Sequence, residues 1–143
     1  MDNTSQLPRI KLALLIDNDE VDNYITHRIL KSISFAERIE IKLSATDALD
    51  YLKNRIEKSE NLPEVIFLDI SMPDMDGFQF LDTFTKIGKQ AAVNPRIIVL
   101  TNSEYFDLPK MRIMGTPSMI HAVMKKPLSV EALQKLYSSY IPE

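Results

Sequence analysis

Asp17, Asn18, Asp69, Thr101 and Lys126 are the residues of this chain whose types converge on one piece of chemistry. Two carboxylates and an amide offer hard oxygens suited to Mg2+, which takes few protein ligands and keeps several waters. A hydroxyl at Thr101 and a mobile point charge at Lys126 suit phosphoryl oxygens. Carboxylates gathered without a counter-ion repel each other, so a cation or Lys126 is needed to hold such a group ionised. The chemistry implied is a Mg2+-assisted phosphoryl site, provided that the fold brings these scattered positions together.

The elements that would do so can be read from hydrophobic period. Val65-Ile66-Phe67-Leu68 is an apolar, β-branched and aromatic run without polar alternation, the pattern of a strand buried on both faces of a parallel sheet. Strands are expected at Lys11–Ile16, Arg38–Leu43, Glu64–Asp69, Arg96–Thr101 and Ser118–Met124, the second being the least buried in pattern. Helices are expected at Asp19–Ile33, Ala45–Lys58, Phe78–Lys86, Asp107–Met114 and Val130–Tyr140. Ser44 and Ser129 fit N-caps, Pro109 fits a helix start, and Asp76 with Gln79 fits a capping box. Strict alternation of strands and helices predicts an α/β fold, a doubly wound parallel sheet covered on both sides. In that fold Asp17, Asp69, Thr101 and Lys126 all fall at or just past carboxyl ends of strands, where open α/β sheets bind ligands.

Composition bounds the function. The 143 residues fit one domain large enough to bury a core, after a polar segment at 1–9 expected to be loosely ordered. A net charge of -3 and a pI near 5.4 give no general basic face for nucleic acid. Without cysteine there are no disulfides, thiolate nucleophiles or thiolate metal sites, and His27 and His121 are too far apart in sequence to suggest a histidine-rich one. The longest N-terminal apolar run, Leu12 to Ile16, is too short for a signal-peptide core or a membrane span, so the expected location is cytoplasmic.

LLIDND at 14–19, LDISMPDMDG at 68–77, IIVLTNS at 97–103 and KKP at 125–127, in this order and approximate spacing, resemble the receiver domains of two-component response regulators. The resemblance spans Lys11 to Tyr140. It implies a flavodoxin-like (βα)5 three-layer sandwich of strand order 2-1-3-4-5; because the sequence ends within three residues of the last expected helix, the expectation is a stand-alone receiver at 10–143 with no output domain. It further implies that Asp69 is the phosphoacceptor, taking a phosphoryl group from a sensor histidine kinase or phosphotransfer protein. By the same resemblance Asp17, Asn18, Asp69 and the backbone carbonyl of Ser71 bind Mg2+, Thr101 binds a phosphoryl oxygen, and Lys126, followed by Pro127, pairs with Asp69 or its phosphate. Such a protein promotes only its own phosphorylation and dephosphorylation and is not an enzyme in the ordinary sense. It signals to a downstream protein by contact, as a monomer or a phosphorylation-dependent dimer, without binding DNA or membrane itself.

Two positions depart from the family pattern. Asn18 stands where a second metal-binding acid is usual, which removes one negative charge, and Asp19 directly before a helix reads as a cap for the Val21 or Asp22 amide rather than a replacement. Val123 stands where many receivers carry an aromatic ring that moves on phosphorylation. These departures leave room for a receiver-like binding module that works without phosphorylation. A third reading comes from Asp17-Asn18-Asp19-Glu20-Val21, which also matches the opening motif of haloacid-dehalogenase-type phosphatases, with Asp17 as nucleophile and Asp19 as acid/base. That reading lacks the acidic pair needed after the lysine, where only Glu131 and Glu143 remain, and gives Asp69 no role.

Overall fold

The computed structural model describes residues 10–70, 75, 77–88, 95–101 and 120–140. The expected segment 1–9, Ser71, the Asp76 cap, Pro109 and the helix expected at Asp107–Met114 lie outside the described residues.

Five strands form one parallel sheet: β1 (Leu12–Ile16), β2 (Arg38–Lys42), β3 (Val65–Asp69), β4 (Arg96–Thr101) and β5 (Ile120–Lys125), in the order β2-β1-β3-β4-β5. Four helices are described: α1 (Glu20–Ser32), α2 (Ala45–Glu57), α3 (Gly77–Ile87) and α4 (Val130–Tyr140). The three central strands are buried on both faces, as their unbroken apolar runs require, and the edge strands β2 and β5 are more open.

Because successive side chains on a strand point to opposite faces, each central strand feeds two separate cores. Leu14, Ile16, Ile66, Leu68, Ile97 and Val99 pack under α2 and α3, against Ala48, Leu52, Phe80 and Phe84. Ala13, Leu15, Val65, Phe67, Ile98 and Leu100 face the other way, against Leu30 of α1, Phe35, and Leu133 and Leu136 of α4. The expected three-layer sandwich is the result. Helix starts follow the capping signals: Ser44 Oγ accepts the Asp47 amide at 3.0 Å, and Ser129 Oγ accepts the Ala132 amide at 3.1 Å.

Expected boundaries shift only at the ends. β5 runs on through Lys125, whose side chain is exposed on an edge strand, and Ser118 and Met119 lie outside the described residues. The pairing of β4 with β5 slips between Ile97 and Ile98, whose partners are Ile120 and Ala122, so His121 falls at the irregularity. His121 is exposed, and its pKa is lowered, first by desolvation of the covered part of the ring and then by the charge of Arg96.

Candidate functional site

Strand register explains how the site residues meet. Ile16 pairs with Leu68, so Asp17, the next residue, stands beside Asp69 at the carboxyl edge of the sheet. Asp69 pairs with Leu100, which sets Thr101 one step further on, and Thr101 pairs with Lys125. The Lys126 amide then donates to the Thr101 carbonyl at 2.9 Å and anchors the lysine over the edge. The Lys126–Pro127 peptide is cis. Asp17, Asp69, Thr101 and Lys126 are all buried despite their polarity. Buried polar groups of this kind must be paired, and the pairing shows how they are used.

Lys126 Nζ lies 2.6 Å from Asp17 Oδ2, 2.9 Å from Asp22 Oδ2 and 3.6 Å from Asp69 Oδ2. The expected pairing of Lys126 with Asp69 is therefore present only as the longest of three ion pairs. Burial alone would lower the lysine's pKa, but the hydrogen bonds it donates to Asp17 and Asp22 and the charges of Asp69 and Asp17 outweigh it, and the net direction is upward. The ammonium is thus held charged in the place where a counter-ion is required.

The loop after β1 is fixed from two sides. Asp17 Oδ1 accepts the Asp19 amide at 2.9 Å, and the Asp17 carbonyl accepts Asn23 Nδ2 at 2.7 Å in the interior. Buried Asn23 Oδ1 finds no hydrogen-bond partner among the described residues. Asp19 caps α1 as expected, its carboxylate accepting the amides of Val21 and Asp22 at 2.9 and 3.0 Å. On the far side of Asp69, the Gly77 amide donates to the Ile70 carbonyl at 3.0 Å. A Cβ on Gly77 would meet Ile70 Cδ1 at 2.5 Å and Ile70 Cα at 3.0 Å, so glycine is what lets α3 start this close to the strand end.

Sequence reasoning brought together Asp17, Asp69, Thr101 and Lys126, and the fold does gather them. Asn18 is exposed beside Asp17, at the rim of the group. Asp22 and Asn23 were missed. Both lie on the first turns of α1, and what they touch depends on how that helix lies on the sheet; their one sequence signal was polarity next to a motif aspartate.

The donor set fits Mg2+. Three carboxylates face one ammonium, which leaves two negative charges for a divalent cation to balance. No trio of His, Cys, Asp or Glu among the described residues is disposed to hold a metal unaided. A cation here would rest on Asp17 and Asp69 and take its remaining ligands from amide or main-chain oxygen and water, the habit of Mg2+.

The comparisons with known proteins bear on the family and the fold. The family model described as the response regulator receiver domain matches residues 13–138. The probable methanogenesis regulatory protein FilR2 of Methanothrix harundinacea is 25% identical over 124 residues, which are 87% of this chain and 77% of that protein. A two-component response regulator from Cytophaga hutchinsonii has a similar structure, with a TM-score of 0.77 and 25% identity over 90% of this chain and 94% of that one. The receiver domain of the histidine kinase CKI1 from Arabidopsis thaliana, complexed with Mg2+ and BeF3-, shares the fold at a TM-score of 0.73 and 21% identity, over 90% of each chain. A buried acidic edge with its lysine, in a sheet of order 2-1-3-4-5 and within a family match over most of the length, has one consistent meaning: the chain belongs to the response regulator receiver domains of two-component signalling.

Proposed function

We propose that this receiver takes a phosphoryl group on Asp69 from the phosphohistidine of a sensor histidine kinase or phosphotransfer protein, with Mg2+, and then signals in the cytoplasm through contact with a downstream protein. The observation that carries this is the buried ammonium of Lys126, within 3.6 Å of Asp69 and 2.6 Å of Asp17 at the carboxyl edge of the sheet. In the transfer, an Asp69 carboxylate oxygen attacks phosphorus, the P–N bond of the donor breaks as the P–O bond forms, and the donor imidazole, already protonated on its other ring nitrogen, takes the electron pair of the broken bond and leaves neutral. The transition state is loose, so the protein's part is positioning and charge stabilisation. Lys126 supplies a fixed positive charge beside the incoming phosphoryl oxygens, and Thr101 offers them a hydroxyl. Mg2+ held by Asp17 and Asp69, with the Asn18 amide and the Ser71 carbonyl, would neutralise charge on the phosphoryl group.

The capping of α1 by Asp19 Oδ1 gives that residue a structural role and weighs against the phosphatase reading, which needs Asp19 as its acid/base. Incubation with Mg2+ and acetyl phosphate or a small phosphate ester separates the readings. A receiver holds close to one phosphoryl group per chain from acetyl phosphate and releases no continuing phosphate from the ester. Steady turnover of the ester would contradict the proposal.

Asn18 should weaken the cation site, since an amide oxygen attracts Mg2+ less than a carboxylate. Asn18→Asp is expected to bind Mg2+ roughly tenfold more tightly, about 1.4 kcal/mol. A titration following the amide resonances near Asp17 would measure this, and an unchanged affinity would show that residue 18 does not face the metal.

A further inference from the structure

Lys126 carries three N–H donors, and the shorter contacts of its ammonium go to Asp17 and Asp22 rather than to Asp69. The strand pleat explains how Asp22 enters. Val65 and Phe67 of β3, and Ala13 and Leu15 of β1, point to the face covered by α1 and α4, and Asp69 and Asp17 continue that alternation. Ala122 and Met124 of β5 pack toward the same face, and Lys126 follows them in step. Helix α1 begins directly above this edge. Asp19 caps its first turn by accepting the Asp22 amide at 3.0 Å, which fixes the Asp22 backbone, and the Asp22 carboxylate reaches Nζ at 2.9 Å.

The geometry points to Asp22 as a positioning residue for phosphoryl capture: together with Asp17 it draws Lys126 to the α1 side and keeps the ammonium from closing on Asp69. At 3.6 Å the Asp69 contact is an ion pair without a good hydrogen bond, whereas those to Asp17 and Asp22 are short enough to be charge-assisted bonds. A phosphoryl group arriving on Asp69 must compete with Asp22 for the lysine. The side chain of Asp22 is 30% exposed, so its hold is the weaker of the two anchors and the one that can be released. Asp22 thereby limits how tightly a phosphoryl-like anion is retained.

The consequence for anion retention rests on the reading of Asp69 as phosphoacceptor; the placement of Lys126 does not. A crystal structure of Asp22→Asn tests placement directly. The ammonium is expected to move into hydrogen-bonding distance of Asp69, and an Nζ that stays on Asp17 with the Asp69 distance unchanged overturns the inference. Titration with beryllofluoride at saturating Mg2+, followed by fluorine NMR, tests the consequence. Asp22→Asn should bind about two- to fivefold more tightly than wild type, the worth of a part-exposed ion pair. Asp22→Glu should stay at the wild-type value, and the gain should vanish when Asp22→Asn is combined with Lys126→Met. Equal affinities, or a gain that persists without the lysine and so reflects net charge alone, overturn it. Failure of the wild-type protein to form any beryllofluoride complex would instead contradict the phosphoacceptor reading, and the crystal structure would still decide where Asp22 holds Lys126.

Discussion

Lys126→Met is expected to slow phosphoryl capture by about a hundredfold or more, the usual cost of removing one preorganised charge-stabilising group. It should also destabilise the fold. The Lys126 side chain is 6% exposed and those of Asp17 and Asp69 are 1% and 9% exposed, so the substitution leaves two buried carboxylates without their ammonium. Breaking a buried pair in this way costs about 3–5 kcal/mol, because the remaining charge is left uncompensated. Mg2+ should return much of that stability to the variant, and proportionally more than it gives the wild type. The pH dependence follows from the direction of the lysine's pKa. It is raised above its ordinary value of 10.5, so the lysine's contribution is complete below that value and is lost only as pH rises through the raised one. Urea unfolding of both proteins should show a gap that is constant from about pH 7 to pH 9 and narrows only in stronger alkali. A gap below about 1 kcal/mol at pH 7 without Mg2+ would mean that the lysine does not compensate the acidic edge.

The second large effect lies in the core that carries the site. Phe67 is fully buried on β3, two residues before Asp69, and its ring lies 5.5 Å from that of Phe35, which in turn lies 5.6 Å from Tyr137 on α4. These three rings tie the strand bearing Asp69 to the turn after α1 and to the C-terminal helix. Phe67→Ala removes the central strand's anchor and leaves a cavity that the close-packed strands cannot readily fill. A loss of about 3–5 kcal/mol is expected, a large part of the stability of a domain of this size, and a fall in Tm on the order of 10 °C. Calorimetry would measure it. Because the substitution changes no charge, phosphoryl capture at temperatures where the variant remains folded should suffer far less than in Lys126→Met. That contrast separates a residue that supports the site from one that acts in it.

How much of this was legible in the sequence differs from element to element. The strands β3 and β4 were legible because a parallel strand covered on both faces is an uninterrupted apolar run, and Arg96–Thr101 matched to the residue. The caps at Asp19, Ser44 and Ser129 were legible because an N-cap is a local contact between near neighbours. The end of β5 was placed one residue short because the apolar run stops at Met124, and an edge strand carries a charge such as Lys125 on its open side. The convergence of Asp17, Asp69, Thr101 and Lys126 followed from parallel topology alone, since carboxyl ends of parallel strands share one edge. What the sequence did not disclose is which carboxylates Lys126 prefers. That depends on how α1 lies over β1, a matter of packing between Leu30, Ala13 and Leu15 that no local pattern encodes. Asp22 therefore entered the sequence reading only as an amide for Asp19 to cap, although its carboxylate lies 2.9 Å from the lysine.

Intact-mass spectrometry after incubation with Mg2+ and acetyl phosphate, on wild type and on Asp69→Ala, tests the central claim most directly. Wild type should gain the mass of one phosphoryl group, labile as an acyl phosphate is, and Asp69→Ala should gain none. A wild-type protein that stays unmodified at high Mg2+, or an adduct that survives in Asp69→Ala, would contradict the assignment of Asp69 as the phosphoacceptor.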